Sequence, residues 1–235
     1  MNIVITGASK GIGFEAAKHL AAAGDHTIVV IARNEENLKQ LKNACLHENI
    51  KAKVFPVPFD LGVLNGIETL LVKQILSFIP NVDILINNAG VLVNKPFAET
   101  SLEDIQETIS TNYLAPSILI RALLPHFASG AHVVNISSMG GFQGSAKFAG
   151  LSAYSAAKGA IAILTECLAE EYKDSGFRFN CLAFGAVNTE MFKMAFPGHT
   201  APLEPSEMGK YVADFALNQA RYFNGKVIPV SSATP

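Results

Sequence analysis

Short apolar runs alternate with longer stretches of helical period along the whole chain, and this alternation predicts a succession of strands and helices. Asn2 to Thr6 is an apolar run, followed by the turn Gly7-Ala8-Ser9-Lys10-Gly11-Ile12-Gly13 and a helical pattern from Phe14 to Ala23 that Gly24 stops. Thr27 to Ala32 predicts a second buried strand, and Asn34 to His47 an amphipathic helix. Lys53 to Phe59 is strand-like but holds Pro56 and Pro58, which cannot donate to a ladder, so it belongs at a sheet edge. A helix over about Leu64 to Phe78 precedes a fourth strand, Asp83 to Ile86, which ends in Asn87-Asn88-Ala89-Gly90. Leu102 to Phe127 has helical period, with Ser101 as its cap and a bend or a join expected at Pro116. Ala131 to Ile136 predicts a fifth strand, and a loop rich in Gly and Ser, Met139 to Gly150, leads to a helix running to about Asp174. Phe177 to Ala183 is a sixth strand, Pro205 to Tyr222 a last helix and Lys226 to Val230 a seventh strand. Strand and helix in this order predict an α/β fold: one domain over residues 1–235, a doubly wound parallel sheet of about seven strands with helices on both faces. In the strand order 3-2-1-4-5-6 the third strand lies at an edge, which suits its prolines.

Composition narrows the class. The chain has 235 residues, 49% hydrophobic and 16% charged, enough apolar content for a large core and too much for disorder. A net charge of −2 with no basic stripe argues against nucleic acid as a partner. Cys45, Cys167 and Cys181 are odd in number and far apart, and the six histidines show no ligand spacing. Free thiols in a reducing compartment and no metal are therefore expected. Met1 leads directly into the first strand, and no apolar run is long enough to cross a bilayer. The expectation is a cytoplasmic protein without membrane partners.

Two stretches carry candidate chemistry. A strand, a glycine-rich turn and a helix N-terminus form a phosphate site, because unpaired backbone N–H groups and the helix dipole face the anion. The second strand ends in Ala32 and Arg33 where an acid would usually receive a ribose hydroxyl. Arg33 and Lys10 instead suit a 2′-phosphate through charge-assisted hydrogen bonds. Tyr154 and Lys158 lie four residues apart, one turn along the same helix face. A cation ~4 Å away at an effective dielectric of ~20 contributes roughly 4 kcal/mol. That is about 3 pKa units, so Lys158 is expected to bring the phenol from ~10 towards 7 and fit it for proton exchange. Asn112, mid-helix, is either an exposed polar residue or one wanted at the crevice.

Thr6-Gly7-x-x-x-Gly11-x-Gly13, Asp60-Leu61, Asn87-Asn88-Ala89-Gly90, Asn112, Ser138 and Tyr154-x-x-x-Lys158, in that order, together resemble the short-chain dehydrogenase/reductase family, whose fold is Rossmann-like. The resemblance implies that Tyr154 protonates a substrate carbonyl as hydride arrives from a nicotinamide. It implies that Lys158 holds the nicotinamide ribose, that Ser138 rather than Ser137 binds the carbonyl, and that Asn112 anchors a proton-relay water. Gly7, Ser9, Lys10, Gly11, Ile12 and Gly13 would cradle the diphosphate, Arg33 and Asn34 the adenosine end, and Asp60 and Leu61 the adenine. Asn88, Ala89 and Gly90 would support the ribose, and Gly185, Val187 and Thr189 would meet the carboxamide and phosphate. The expected cofactor is NADP(H) in preference to NAD(H), and the expected substrate a small carbonyl or alcohol such as a 3-oxoacyl thioester, a pterin-like or an aromatic carbonyl. A homodimer or homotetramer built on the small residues Ala156, Ala157, Gly159, Ala160 and Ala162 is also implied. The alternative is a dinucleotide-binding regulatory protein that kept the fold without catalysis. Three features depart from the family pattern: a Ser138–Tyr154 segment about three residues longer than usual, Phe184 in place of proline, and the ending Ser231-Ser232-Ala233-Thr234-Pro235. The short segment from Thr189 to Pro205 is apolar, with Met191, Phe192, Met194, Phe196 and Pro197, which suit either a hydrophobic or aromatic carbonyl substrate or the protein core.

Overall fold

Seven parallel strands pair in the order β3-β2-β1-β4-β5-β6-β7 in a computed structural model of the chain, whose described residues are 1–231. The strands are β1 (Asn2–Thr6), β2 (Thr27–Ala32), β3 (Lys53–Pro58), β4 (Val82–Asn87), β5 (Phe127–Ser138), β6 (Arg178–Phe184) and β7 (Lys226–Val230). The helices are α1 (Gly11–Ala22), α2 (Glu35–Glu48), α3 (Val72–Phe78), α4 (Leu102–Ile109), α5 (Ala115–Leu123), α6 (Ser152–Glu171), α7 (Glu190–Ala195) and α8 (Pro205–Asn218). The edge position expected for the proline-bearing strand is found, with Pro56 opposite Val30 and Pro58 opposite Ala32.

The period of two sorts the strand side chains onto the two faces. Ile3, Ile5, Ile28 and Val30 pack into one core with α1, α2 and α8. Val4, Val29 and Ile31 join the other with α3 and α5. Both faces of the central strands are therefore buried, which is why their sequences are continuous apolar runs. Each fully buried Ile or Val contributes about 1.5–3 kcal/mol. Helices α1 and α8 approach so closely that a Cβ on Gly209 would stand 2.5 Å from the Cβ of Glu15.

Four expectations need correction. The long helix expected from Leu102 to Phe127 keeps helical backbone to Leu123 but widens into a π-turn at Ser110–Leu114, and its tail is a 3₁₀ turn at Leu124–His126 before the twelve-residue β5. Pro116 stands just beyond the π-turn, at the start of α5, and so marks the join between the two stretches of regular helix. The helix expected over Leu64 to Phe78 begins as a 3₁₀ turn and a π-turn before α3. The segment after Thr189 holds the unforeseen α7, and α8 stops at Asn218. Of the unusual ending noted in the sequence, residues 232–235 lie outside the described residues.

Candidate active site

The carboxyl ends of β1 to β6 open onto one cavity of about 1250 Å³, larger than the ~300–1,000 Å³ of sites for drug-sized ligands. Gly7, Ser9, Lys10, Gly11, Ile12, Arg33, Asn34, Asp60, Leu61, Asn88, Ala89, Gly90, Ser138, Tyr154, Lys158, Gly185, Val187 and Thr189 all line it. Of the expected site residues, Gly13 and Asn112 stand behind the lining.

The glycine turn is shaped by close approach. Gly7 has φ +68, and a Cβ there would lie 2.6 Å from Ala89 Cα. A Cβ on Gly13 would lie 2.4 Å from Asn88 Nδ2. Asn88 uses that amide to donate to the carbonyls of Thr6 and Gly7, both at 3.1 Å. Thr6 Oγ1 accepts from the backbone N–H groups of Asn88 and Ala89, so the end of β4 is stitched to the turn. No side chain caps the N-terminus of α1, and its first turn holds no acid. This end of the helix, open to the cavity and carrying the positive end of the dipole, fits a diphosphate.

Arg33 is exposed and its guanidinium has no ion-pair partner among the described residues, which fits a further phosphate. Lys10 is already engaged in an ion pair with Glu190 on α7. Asn34 caps α2 by accepting from Asn37 N at 2.9 Å. Asp60 Oδ1 accepts from Gly62 N at 2.9 Å where the residue lines the cavity.

At the other end Tyr154 and Lys158 project from α6, and Ser138 ends β5. Ser137 Oγ donates to the Lys158 carbonyl at 2.6 Å, tying strand to helix and leaving Ser138 the freer hydroxyl of the pair. Ser138 Oγ accepts from Gly140 N at 3.2 Å. Asn112 is buried, not exposed: Nδ2 donates to Val91 O and Thr108 O, each at 2.9 Å, while Oδ1 accepts from Val91 N at 3.3 Å. Asn112 lies within the π-turn, and its amide reaches back to the Thr108 carbonyl one turn earlier.

The expected lowering of the Tyr154 pKa by Lys158 is not found. The Lys158 ammonium donates to Ile136 O at 2.8 Å and lies 5.8 Å from the tyrosine ring centroid. Burial pushes the phenol up to about 12, and the hydrogen bond with Ser138 offsets part of the rise. Burial also brings Lys158 down to about 8. Helical spacing brought the two side chains near each other, but withdrawal from water outweighs an attraction spread over this distance.

Above Tyr154 the cavity is apolar. Phe196 meets Phe192 at 5.2 Å and Phe148 at 6.5 Å between ring centroids. Phe148, from the Gly- and Ser-rich loop, and Glu190 were not foreseen. An aromatic among small residues was the available sign for the first; no local pattern marks the second, whose partner lies 180 residues away. Of the small residues on α6, Ala157 and Ala162 face the core, while Ala156 and Ile163 are exposed. Among the described residues no cluster of His, Cys, Asp and Glu is arranged to hold a metal, and no helix is long and apolar enough to cross a membrane.

The sequence profile of the short chain dehydrogenase family matches residues 1–199. A fatty acyl-CoA reductase from Acinetobacter baylyi is 33% identical over 221 residues, covering 92% of this chain and 69% of the relative. Ketoacyl reductase HetN from Nostoc is 34% identical over 191 residues, covering 79% of this chain but 63% of the relative. The chain thus spans about two thirds of the length of these curated relatives. A short chain dehydrogenase from Burkholderia cenocepacia, solved in complex with NADP, superimposes with a TM-score of 0.88 over 99% of this chain and 96% of that one. Its 22% identity carries the likeness of fold.

Proposed function

The chain belongs to the short-chain dehydrogenase/reductase family, and on that premise we propose that it works as a single domain, an NADP(H)-dependent oxidoreductase that reduces a ketone or aldehyde to an alcohol. The observation that carries this reading is the placement of Tyr154, still protonated at neutral pH, beside Ser138 in the same cavity as an uncapped helix end suited to phosphate. A bound nicotinamide supplies or accepts the hydride.

The chain's own residues do the rest. The glycine turn and the end of α1 hold the diphosphate, and the unpaired Arg33 receives the 2′-phosphate. Ser138 donates to the carbonyl oxygen, and Tyr154 gives that oxygen its proton as negative charge develops there. A phenol held near 12 keeps its proton over the whole neutral range, the form that carbonyl reduction requires of a general acid. Lys158, fixed by Ile136, presents its remaining donors to the ribose. Asn112 holds Val91 at the cavity wall and so sets the position of Lys158 through the intervening Gly90, where a Cβ would lie 2.8 Å from Asn112 Oδ1 and 3.5 Å from Lys158 Nζ.

The aromatic lining of Phe148, Phe192 and Phe196 suits an uncharged carbonyl with an apolar substituent. The names of the two curated relatives support acyl thioesters among the candidates. The exposed Ala156 and Ile163 of α6 provide a face for a homodimer. The test is a screen of NADPH oxidation with acetoacetyl thioesters, long-chain aldehydes, diketones and aromatic aldehydes. At least one class should be turned over well above a Tyr154→Phe control; NADPH binding without turnover of any class would favour the non-catalytic alternative.

A further inference from the structure

Lys10 stands in the glycine turn, and its ammonium is paired with the carboxylate of Glu190, the first residue of α7. This pair joins the phosphate end of the cavity to the helix that covers its substrate end. A second contact reinforces it: Thr189 caps α7 by accepting from Phe192 N at 3.2 Å, and its methyl lies 3.4 Å from where a Cβ on Gly11 would be. Helix α7 carries Phe192, whose ring lies tilted against Phe196, and Asn94 Nδ2 holds the far end through Ala195 O at 2.7 Å. Lys10 holds the Glu190 carboxyl below the usual carboxylate range, so the acid is ionised at any pH near neutral. Both side chains are more than half exposed, at 57% and 61%. Such a pair is weak and easily exchanged for a better anion.

An anion arriving at the turn meets Lys10 with its charge already neutralised. A phosphate dianion offers more charge and more acceptor oxygens than one carboxylate, so it displaces Glu190, and the start of α7 loses its tether. We propose that Glu190 is a specificity-determining residue of the dinucleotide site: it withholds Lys10 from the adenosine 2′-phosphate and couples loading of that phosphate to release of α7. This inference rests on the NADP(H) reading above.

Two nucleotides without a nicotinamide test it by calorimetric binding, 2′,5′-ADP and 5′-AMP, which differ in the 2′-phosphate. Glu190→Gln should bind 2′,5′-ADP about threefold to fivefold more tightly than the wild type, with 5′-AMP unchanged. The gain should vanish in a Lys10→Met background. Trypsin cleavage after the exposed Lys193 of α7 should accelerate when 2′,5′-ADP binds the wild type and should already be fast in Glu190→Gln. Unchanged 2′,5′-ADP affinity in Glu190→Gln, or an equal gain without Lys10, would overturn the coupling while leaving the NADP(H) reading intact. A wild type that binds neither nucleotide would overturn both.

Discussion

Lys158 gives its ammonium to the carbonyl of Ile136 at 2.8 Å, one strand position short of the Ser137-Ser138 pair. The buried cation is thus anchored on β5, and the tyrosine one turn away on α6 is left as a neutral phenol. Tyr154→Phe should lower kcat at least ~10²-fold while NADPH affinity stays within about threefold. In the wild type, the pH profile of reduction should show an inflection near 8, where Lys158 loses its proton, and none from Tyr154 in the neutral range. Lys158→Met should remove that inflection. An inflection that persisted in Lys158→Met would place the titrating group elsewhere.

Arg33 is the exposed cation at the end of β2 without an ion-pair partner among the described residues. A charge-assisted hydrogen bond contributes about 1.5–3 kcal/mol, so Arg33→Ala should raise the Kd for NADPH at least ~10-fold. The Kd for NADH should change little. Equal losses for both cofactors in fluorescence titrations would contradict a role at the 2′-phosphate.

Asn112 is a buried amide whose Nδ2 faces two carbonyls. In Asn112→Asp an acceptor would confront those two acceptors, at a cost of about 3 kcal/mol. Thermal unfolding should reveal the loss, and it should deepen as pH rises and the new acid ionises. A variant as stable as the wild type would show that the π-turn holds without the amide.

His132 predicts an acid-sensitive core. Its Nδ1–H donates to Ala216 O at 3.0 Å and Nε2 accepts from Asn180 Nδ2 at 3.1 Å, which fixes the neutral ring. Burial holds its pKa down to about 4, against 6.5 for the free side chain. The unfolded chain therefore binds the extra proton first, so stability is full above pH 6.5 and falls as pH drops towards 4. The total loss approaches about 3 kcal/mol at ~1.4 kcal/mol per unit. Urea midpoints between pH 7.5 and 4.5 should show this slope, and His132→Leu should flatten it.

Strand positions were legible in the amino-acid pattern because both faces of the central sheet are covered: Asn2–Thr6 and Thr27–Ala32 emerge with the bounds that their apolar runs suggested. The glycine turn and the Tyr154–Lys158 spacing were legible too, since each depends on neighbours in sequence. Local patterns could not reveal the π-turn at Ser110–Leu114, because the helical period continues straight through it and its contact with Val91 comes from a distant segment. Nor could they show which way a buried lysine turns. Electrostatic balance at Tyr154 and Lys158 depends on how much water the surrounding strands exclude, and the Lys10–Glu190 pair on a fold that brings the first turn to a helix near the chain's far end. Local spacing by itself determined which groups were available; only the tertiary structure decided their partners and their charge, because desolvation and long-range pairing arise when distant segments pack together.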